Sequence, residues 1–285
     1  MTDLQMPAGD DIYAVGGDVV VFNQLAVKIE MDTVPQDNYY AWLDKMTAEI
    51  GRRVPGAQIA EKENARNTPP LNIAVYYDTP DYRVLPTGAL LRTSCNRITH
   101  AFCAFKMAQD ENSVRRDHRH VFEGGEKESI QEAPTSDKSV AIVKRLLART
   151  DLEHPGSLLT EHYGIDATLL EPALALEDLR YTFFVWLDGR DALRCSIDRA
   201  TVYDLRLPPE EQVRVPFSEV ELAIYPRIEA EVANDPRVVS IIQELREALC
   251  SEFGVSVTPE IKYQRAARSL NIAAPAPLPE SLGLA

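Results

Sequence analysis

From Asp18 the chain opens with an unbroken apolar run, Val19-Val20-Val21-Phe22, and then alternates, so that Lys28, Glu30 and Asp32 share one face while Val27, Ile29 and Met31 share the other. A period of two marks a half-buried strand, and here it sets three charged groups in one row. The period changes over residues 37–50, where Tyr39, Trp42, Leu43, Met46 and Ile50 fall at helical spacing before Gly51. Strand-like runs return at 74–77, 90–96, 100–107, 114–122, 181–187, 192–198 and 217–224. A helix is predicted over 136–149, with Val140, Val143, Leu146 and Leu147 as its apolar stripe, and shorter helical pieces over 158–176. Asn234-Asp235-Pro236 predicts a capped helix start and Gly254 its stop. Many strands interrupted singly by helices predict an α+β chain: one antiparallel barrel-like domain over residues 1–272, helices packed outside, a helical insertion at about 134–178, and a proline-rich tail at 273–285.

Composition narrows the partners. The 285 residues carry a formal net charge of −14, which argues against general nucleic-acid binding, since that depends on a basic surface. No apolar run approaches a membrane span, and the acidic start MTDLQMPAGDD is unlike a signal peptide, so a cytoplasmic location is expected. Cys95, Cys103, Cys195 and Cys250 are scattered without metal-site or disulfide-framework spacing. The basic residues, by contrast, are concentrated: Arg92, Arg97, Lys106, Arg115, Arg116, Arg119 and Arg194 lie in or beside the strand-like runs. An acidic exterior around a basic interior suits a small, highly charged anion.

The stretch 76–92, YYDTPDYRVLPTGALLR, combines a strand end, the turn chemistry of Asp78-Thr79-Pro80-Asp81, the backbone freedom of Gly88 and a second strand that reaches Arg92. It resembles the signature of the CYTH, or triphosphate tunnel metalloenzyme, family. Further matches follow in order along residues 27–266. Lys28-Ile29-Glu30-Met31-Asp32 stands where the family carries E-x-E-x-K; two registers are open, and both keep the same three side chains inward. Arg92 matches the first arginine of an L-R-x-R strand, with Ser94 in place of the second, and Lys106 matches the lysine of the next strand. Arg115-Arg116-Asp117-His118-Arg119 is similar to R-x-E-x-E, and Leu193-Arg194-Cys195-Ser196-Ile197-Asp198 to V-E-L-A-L-D. Glu219 and Glu221 match two acids of an E-x-E-x-E strand, with Ala223 in place of the third, and Ile261-Lys262-Tyr263-Gln264-Arg265 resembles a closing S-K-Y-E-R segment.

The resemblance implies a triphosphate tunnel: an antiparallel barrel holding divalent metal on acids and a triphosphate on basic groups. Carried over residue by residue, it implies Mg²⁺ or Mn²⁺ on Glu30, Asp198, Glu219 and Glu221. Lys28, Arg92, Lys106, Arg115, Arg119, Arg194 and Lys262 would bind the substrate, and Glu30, Lys106, Arg115 and Lys262 would serve catalysis. Histidine is not required, and His100, His118 and His120 read as structural. The function expected first is a metal-dependent hydrolase of a triphosphate or other phosphorylated small molecule; the alternatives are a nucleotide cyclase or other phosphate-eliminating lyase, and a non-catalytic polyphosphate-binding protein. The expected partner is a small phosphorylated anion, with neither nucleic acid nor membrane, and the expected state is a monomer or homodimer. Departures at Lys28, Ser94, Arg119, Arg194 and Ala223, which mostly remove acids or add basic groups, keep the choice among the classes open.

Overall fold

The structure, a computed structural model, describes residues 19–23, 26–108, 114–225 and 228–273, with the backbone alone at 19–23 and 114–116. The proline-rich tail from residue 274 onward lies outside the described residues. Among the described residues ten strands and seven helices follow in the order β1 (Val19–Asn23), β2 (Val27–Glu30), α1 (Gln36–Arg53), β3 (Ala57–Glu61), β4 (Leu71–Asp78), β5 (Leu90–Asn96), β6 (Ala101–Lys106), β7 (Val114–Val121), α2 (Gly124–Glu132), α3 (Asp137–Leu147), α4 (Pro155–Tyr163), β8 (Glu171–Leu187), β9 (Arg190–Asp204), β10 (Val215–Ile224), α5 (Ala230–Ala233), α6 (Pro236–Phe253) and α7 (Lys262–Ser269). No helix among the described residues is long and apolar enough to cross a membrane.

All strands join one antiparallel sheet in the order β1-β7-β6-β5-β4-β8-β9-β10-β2, with β3 also paired to β8. The expected barrel is corrected here: among the described residues no ladder joins β1 to β2, so hydrogen bonding leaves the sheet open. The sheet nonetheless curls. Its two edge strands are consecutive in the chain, and from Asn23 to Val27 the backbone can span only about 14 Å. Laid flat, β6 and β10 would stand five strand spacings, about 24 Å, apart. Instead, Lys106 of β6 and Glu221 of β10 line one cavity.

Alternation explains what each face meets. On the outer face Ile29, Cys195, Ile197, Val220 and Leu222 pack under α1 and α6, with Tyr39, Trp42, Leu43, Met46 and Ile50 supplying the α1 side. Val75, Tyr77, Leu91, Cys95, Cys103 and Phe105 pack under α3 and α4, whose buried side chains include Ile142, Val143, Leu146 and Leu159. The intervening residues point into the concave face, which is therefore the charged one. Gly254 stops α6 at φ 65°, a left-handed turn that glycine adopts without steric cost.

The 78–81 corner organises one end of that concavity. Buried Asp78 accepts from the backbone N–H groups of Thr79 (2.7 Å), Val84 (2.8 Å) and Leu85 (3.0 Å). It also accepts from Tyr263 Oη at 2.7 Å, and the Tyr263 ring stacks on Tyr76 with centroids 4.8 Å apart. Through these contacts α7 is docked against the inner sides of β4, β8, β9 and β10, with Ile261, Ala266 and Ala267 filling the gap. The helix closes one end of the curl.

β8 departs most from the sequence expectation. Strand begins at Glu171, within the stretch predicted as helical and within the predicted insertion at 134–178. Near its start the run Ala173-Leu174-Ala175-Leu176 is buried on both faces, so it lacks the alternation that would have marked it, and its Ala and Leu are good helix formers. β3 and α2 were also absent from the expectation.

Candidate functional site

The inward rows converge. Register sets Arg92 opposite Ala104, Lys106 opposite Asp117, Asp198 opposite both Arg180 and Glu219, Glu219 opposite Glu30, and Glu221 opposite Lys28. A cavity of about 130 Å³ lies among them, lined by five cations, Arg92, Lys106, Arg119, Arg180 and Arg194, and by two carboxylates, Asp178 and Glu221. A second chamber of about 200 Å³ adjoins it, sharing Asn72, His100, Arg180, Thr182 and Arg194. Arg115 holds its place in β7 opposite Phe22, but its side chain lies outside the described residues.

The cationic part is built from β5, β6 and β7. Asp117 is fully buried, 2.6 Å from Arg119 Nη2 and 3.1 Å from Lys106 Nζ. Burial raises its pKa, but the two neighbouring cations outweigh that and hold the carboxyl well below the usual range. Lys106 is pulled the other way: burial lowers its pKa, Asp117 recovers part of the loss, and Arg92 and Arg119 lower it again, to about 8. Arg119 also lies 4.9 Å from the centre of the Phe102 ring. Arg92 has no carboxylate within salt-bridge distance among the described residues; its Nη1 donates to Tyr76 Oη at 3.4 Å, and its buried Nε has no acceptor. His100 lines both chambers, and its pKa is held down to about 3 by burial and then by Arg119 and Arg92.

The other part is built around α7. Lys262 hydrogen-bonds Asp198, and its ammonium lies 3.2 Å from Asp178 and 3.2 Å from Glu219. Arg180 makes a bidentate pair with Asp198 at 2.8 and 2.7 Å. Arg265, itself 1% exposed, reaches Asp32 at 2.6 Å and Glu219 at 3.4 Å, while Arg268 pairs with Glu30 at 2.8 Å. Burial raises the pKa of Asp198, but Arg180 and Lys262 overcome it and the carboxyl stays low; Asp178 is raised by burial and by the charge of Asp198. Burial would lower Lys262, but the surrounding carboxylates raise it.

This arrangement bears on the expected metal. Of Glu30, Asp198, Glu219 and Glu221, the first three are already paired with cations of the chain itself. Among the described residues no group of three or more His, Cys, Asp or Glu is placed to hold a metal ion. The donor set does not fit a resident divalent metal. Lys262, expected on the substrate, faces carboxylates instead. Glu221 differs from the other three: burial raises its pKa, yet the charges of Lys28, Arg180 and Lys262 keep it below the ordinary carboxylate range, on the cavity surface. Asp178 and Arg180 were missed because their strand was not predicted that far; the every-second-residue series Leu176, Asp178, Arg180, Thr182, all lining the cavity, was the available signal.

No family model and no curated protein matches the chain. Among solved structures it is similar to a candidate adenylate cyclase from Bacillus halodurans, at 12% identity over 86% of this chain and 98% of that one, with a TM-score of 0.47. It is also similar to a candidate adenylyl cyclase from Hippeastrum described as having a dominant triphosphatase activity, at 11% identity over 86% and 96% of the two chains, with a TM-score of 0.44. A third similarity, at 8% identity over 80% and 89%, is to the capping-enzyme triphosphatase of mimivirus, with a TM-score of 0.31.

Proposed function

We propose that this chain is a divergent triphosphate-tunnel protein that captures a small linear polyphosphate, free or carried on an organic group, in the cavity between Arg92, Lys106, Arg119, Arg180 and Arg194. The observation that carries this reading is the charge of that cavity: five cations face two carboxylates inside a protein whose net charge is −14. A cationic concavity with low-dielectric walls focuses its field on an entering anion, and four of its five cations are arginines, which suit phosphate oxygens bidentately; two of these, Arg180 and Arg194, come from β8 and β9 beside the second chamber. Isothermal titration with tripolyphosphate, thiamine triphosphate and nucleoside triphosphates tests it. Micromolar binding that weakens with salt is expected, and no binding of any of these by folded protein sinks the reading.

Phosphoanhydride hydrolysis is the second reading, and Glu221 is the observation in its favour. A site that only holds polyanions gains nothing from an ionised carboxylate on its surface, because the like charges repel. A hydrolase gains a group able to accept a proton from attacking water. Glu221→Gln separates the two. For a binder it tightens polyphosphate capture by about tenfold or less and changes nothing else; for a hydrolase it also abolishes the release of phosphate by protein supplied with Mg²⁺ or Mn²⁺. Pyrophosphate and cyclic nucleotide, read in the same assay, report the lyase alternative.

A further inference from the structure

The carboxylate pocket at the α7 end already holds a cation of the chain, although Asp178 Oδ1 and Glu219 Oε1 keep no hydrogen-bond partner among the described residues. Asp178, Asp198 and Glu219 come from three neighbouring strands, β8, β9 and β10, and all three converge on the Lys262 ammonium. A divalent ion in this place would need several of the same oxygens at once. The ammonium differs from an ion in solution because it is tethered. Tyr263, the next residue, is stacked on Tyr76 and hydrogen-bonded to Asp78, and Arg265 one turn on is paired with Asp32 and Glu219. Lys262 is 6% exposed, so its charge is spent inside the pocket and not on a ligand in the cavity.

We infer that Lys262 acts as an internal cation that fills the pocket of Asp178, Asp198 and Glu219, so that the chain holds no resident divalent metal and its cationic cavity captures polyphosphate without one. The second clause rests on the proposed anion capture; the first stands apart from it. Lys262, on which all three acids converge, is thus not one of the cavity cations, only Arg180 serving both the acids and the cavity, and metal removal should leave capture intact.

The test is a Mn²⁺ titration of the full chain, followed by electron paramagnetic resonance with no polyphosphate present. Wild type is expected to show no site tighter than about 1 mM, whereas folded Lys262→Met, in which Asp178, Asp198 and Glu219 lose the ammonium they share, gains a site at least about tenfold tighter. A micromolar Mn²⁺ site in wild type overturns the inference, as does a folded Lys262→Met that gains none. Should Lys262→Met fail to fold, titration of wild type with tripolyphosphate in EDTA decides. Binding in EDTA supports the inference, and binding that appears only on adding Mg²⁺ overturns it. Absence of tripolyphosphate binding under both conditions overturns the anion-capture clause while the Mn²⁺ result still decides the first.

Discussion

The two ends of the concave face are made by the same device, alternate residues on antiparallel strands, and they reach opposite electrostatic outcomes. At the α7 end the acids Asp32, Asp178, Asp198 and Glu219 are matched by Lys262, Arg180 and Arg265, and that end is closed within the chain. At the other end Asp117 is shared by Lys106 and Arg119, and Arg92 has no acid at all among the described residues. One end is an internal ion-pair network and the other an excess of positive charge beside open space. A network of ion pairs made within the chain rigidifies the curl; an excess of one sign needs a ligand to complete it. The difference separates the residues whose loss should cost folding from those whose loss should cost binding.

The strongest way to break the comparison is therefore at the closed end. Asp198→Ala removes a fully buried acid held between Arg180 and Lys262 and leaves both cations without it. A loss of about 3–5 kcal/mol in urea unfolding is expected. A loss under about 1 kcal/mol, as for an exposed pair, means that the network is not closed in solution. At the open end, Arg92→Ala should be nearly silent in the same unfolding experiment and should weaken tripolyphosphate binding by about 10–100-fold, the worth of one charged hydrogen-bonding group. Large destabilisation by Arg92→Ala, or unchanged affinity, would erase the distinction between the two ends.

Much of this was legible in the sequence because period two is local. It sets Lys28 with Glu30 and Glu219 with Glu221, and it sends Val220 and Leu222 to the opposite side, where α1 and α6 cover them. The α1 stripe and the start and stop of α6 were legible for the same reason, since caps and periodicity are written within a few residues. Pairing was not. Which cation meets which acid depends on contacts such as Lys262 with Asp178, 84 residues apart, and Arg265 with Asp32, 233 apart. Residue type suggested metal for the acids and phosphate for Lys262; register and the docking of α7 joined them to each other. Openness of the sheet was illegible too, because β1 and β2 read as one strand and only the ladder shows them on opposite edges.

The finest test of the comparison is pH, because Lys106 sits at the open end with its pKa lowered to about 8 from an ordinary 10.5. Below pH 8 the ammonium is charged in folded and unfolded protein alike, and its burial costs stability. Between 8 and 10.5 the folded protein sheds the proton while the unfolded chain keeps it, so this cost is relieved as pH rises. Anion capture runs the opposite way: a polyanion needs the charge, so wild-type affinity should fall above pH 8 by up to about tenfold per pH unit, relative to Lys106→Arg. The arginine variant keeps its charge throughout, and comparing the two cancels the titration of the ligand itself. Parallel affinity curves for wild type and Lys106→Arg from pH 7.5 to about 9.5 would show that Lys106 does not meet the anion, and the open end would then be read by its arginines alone.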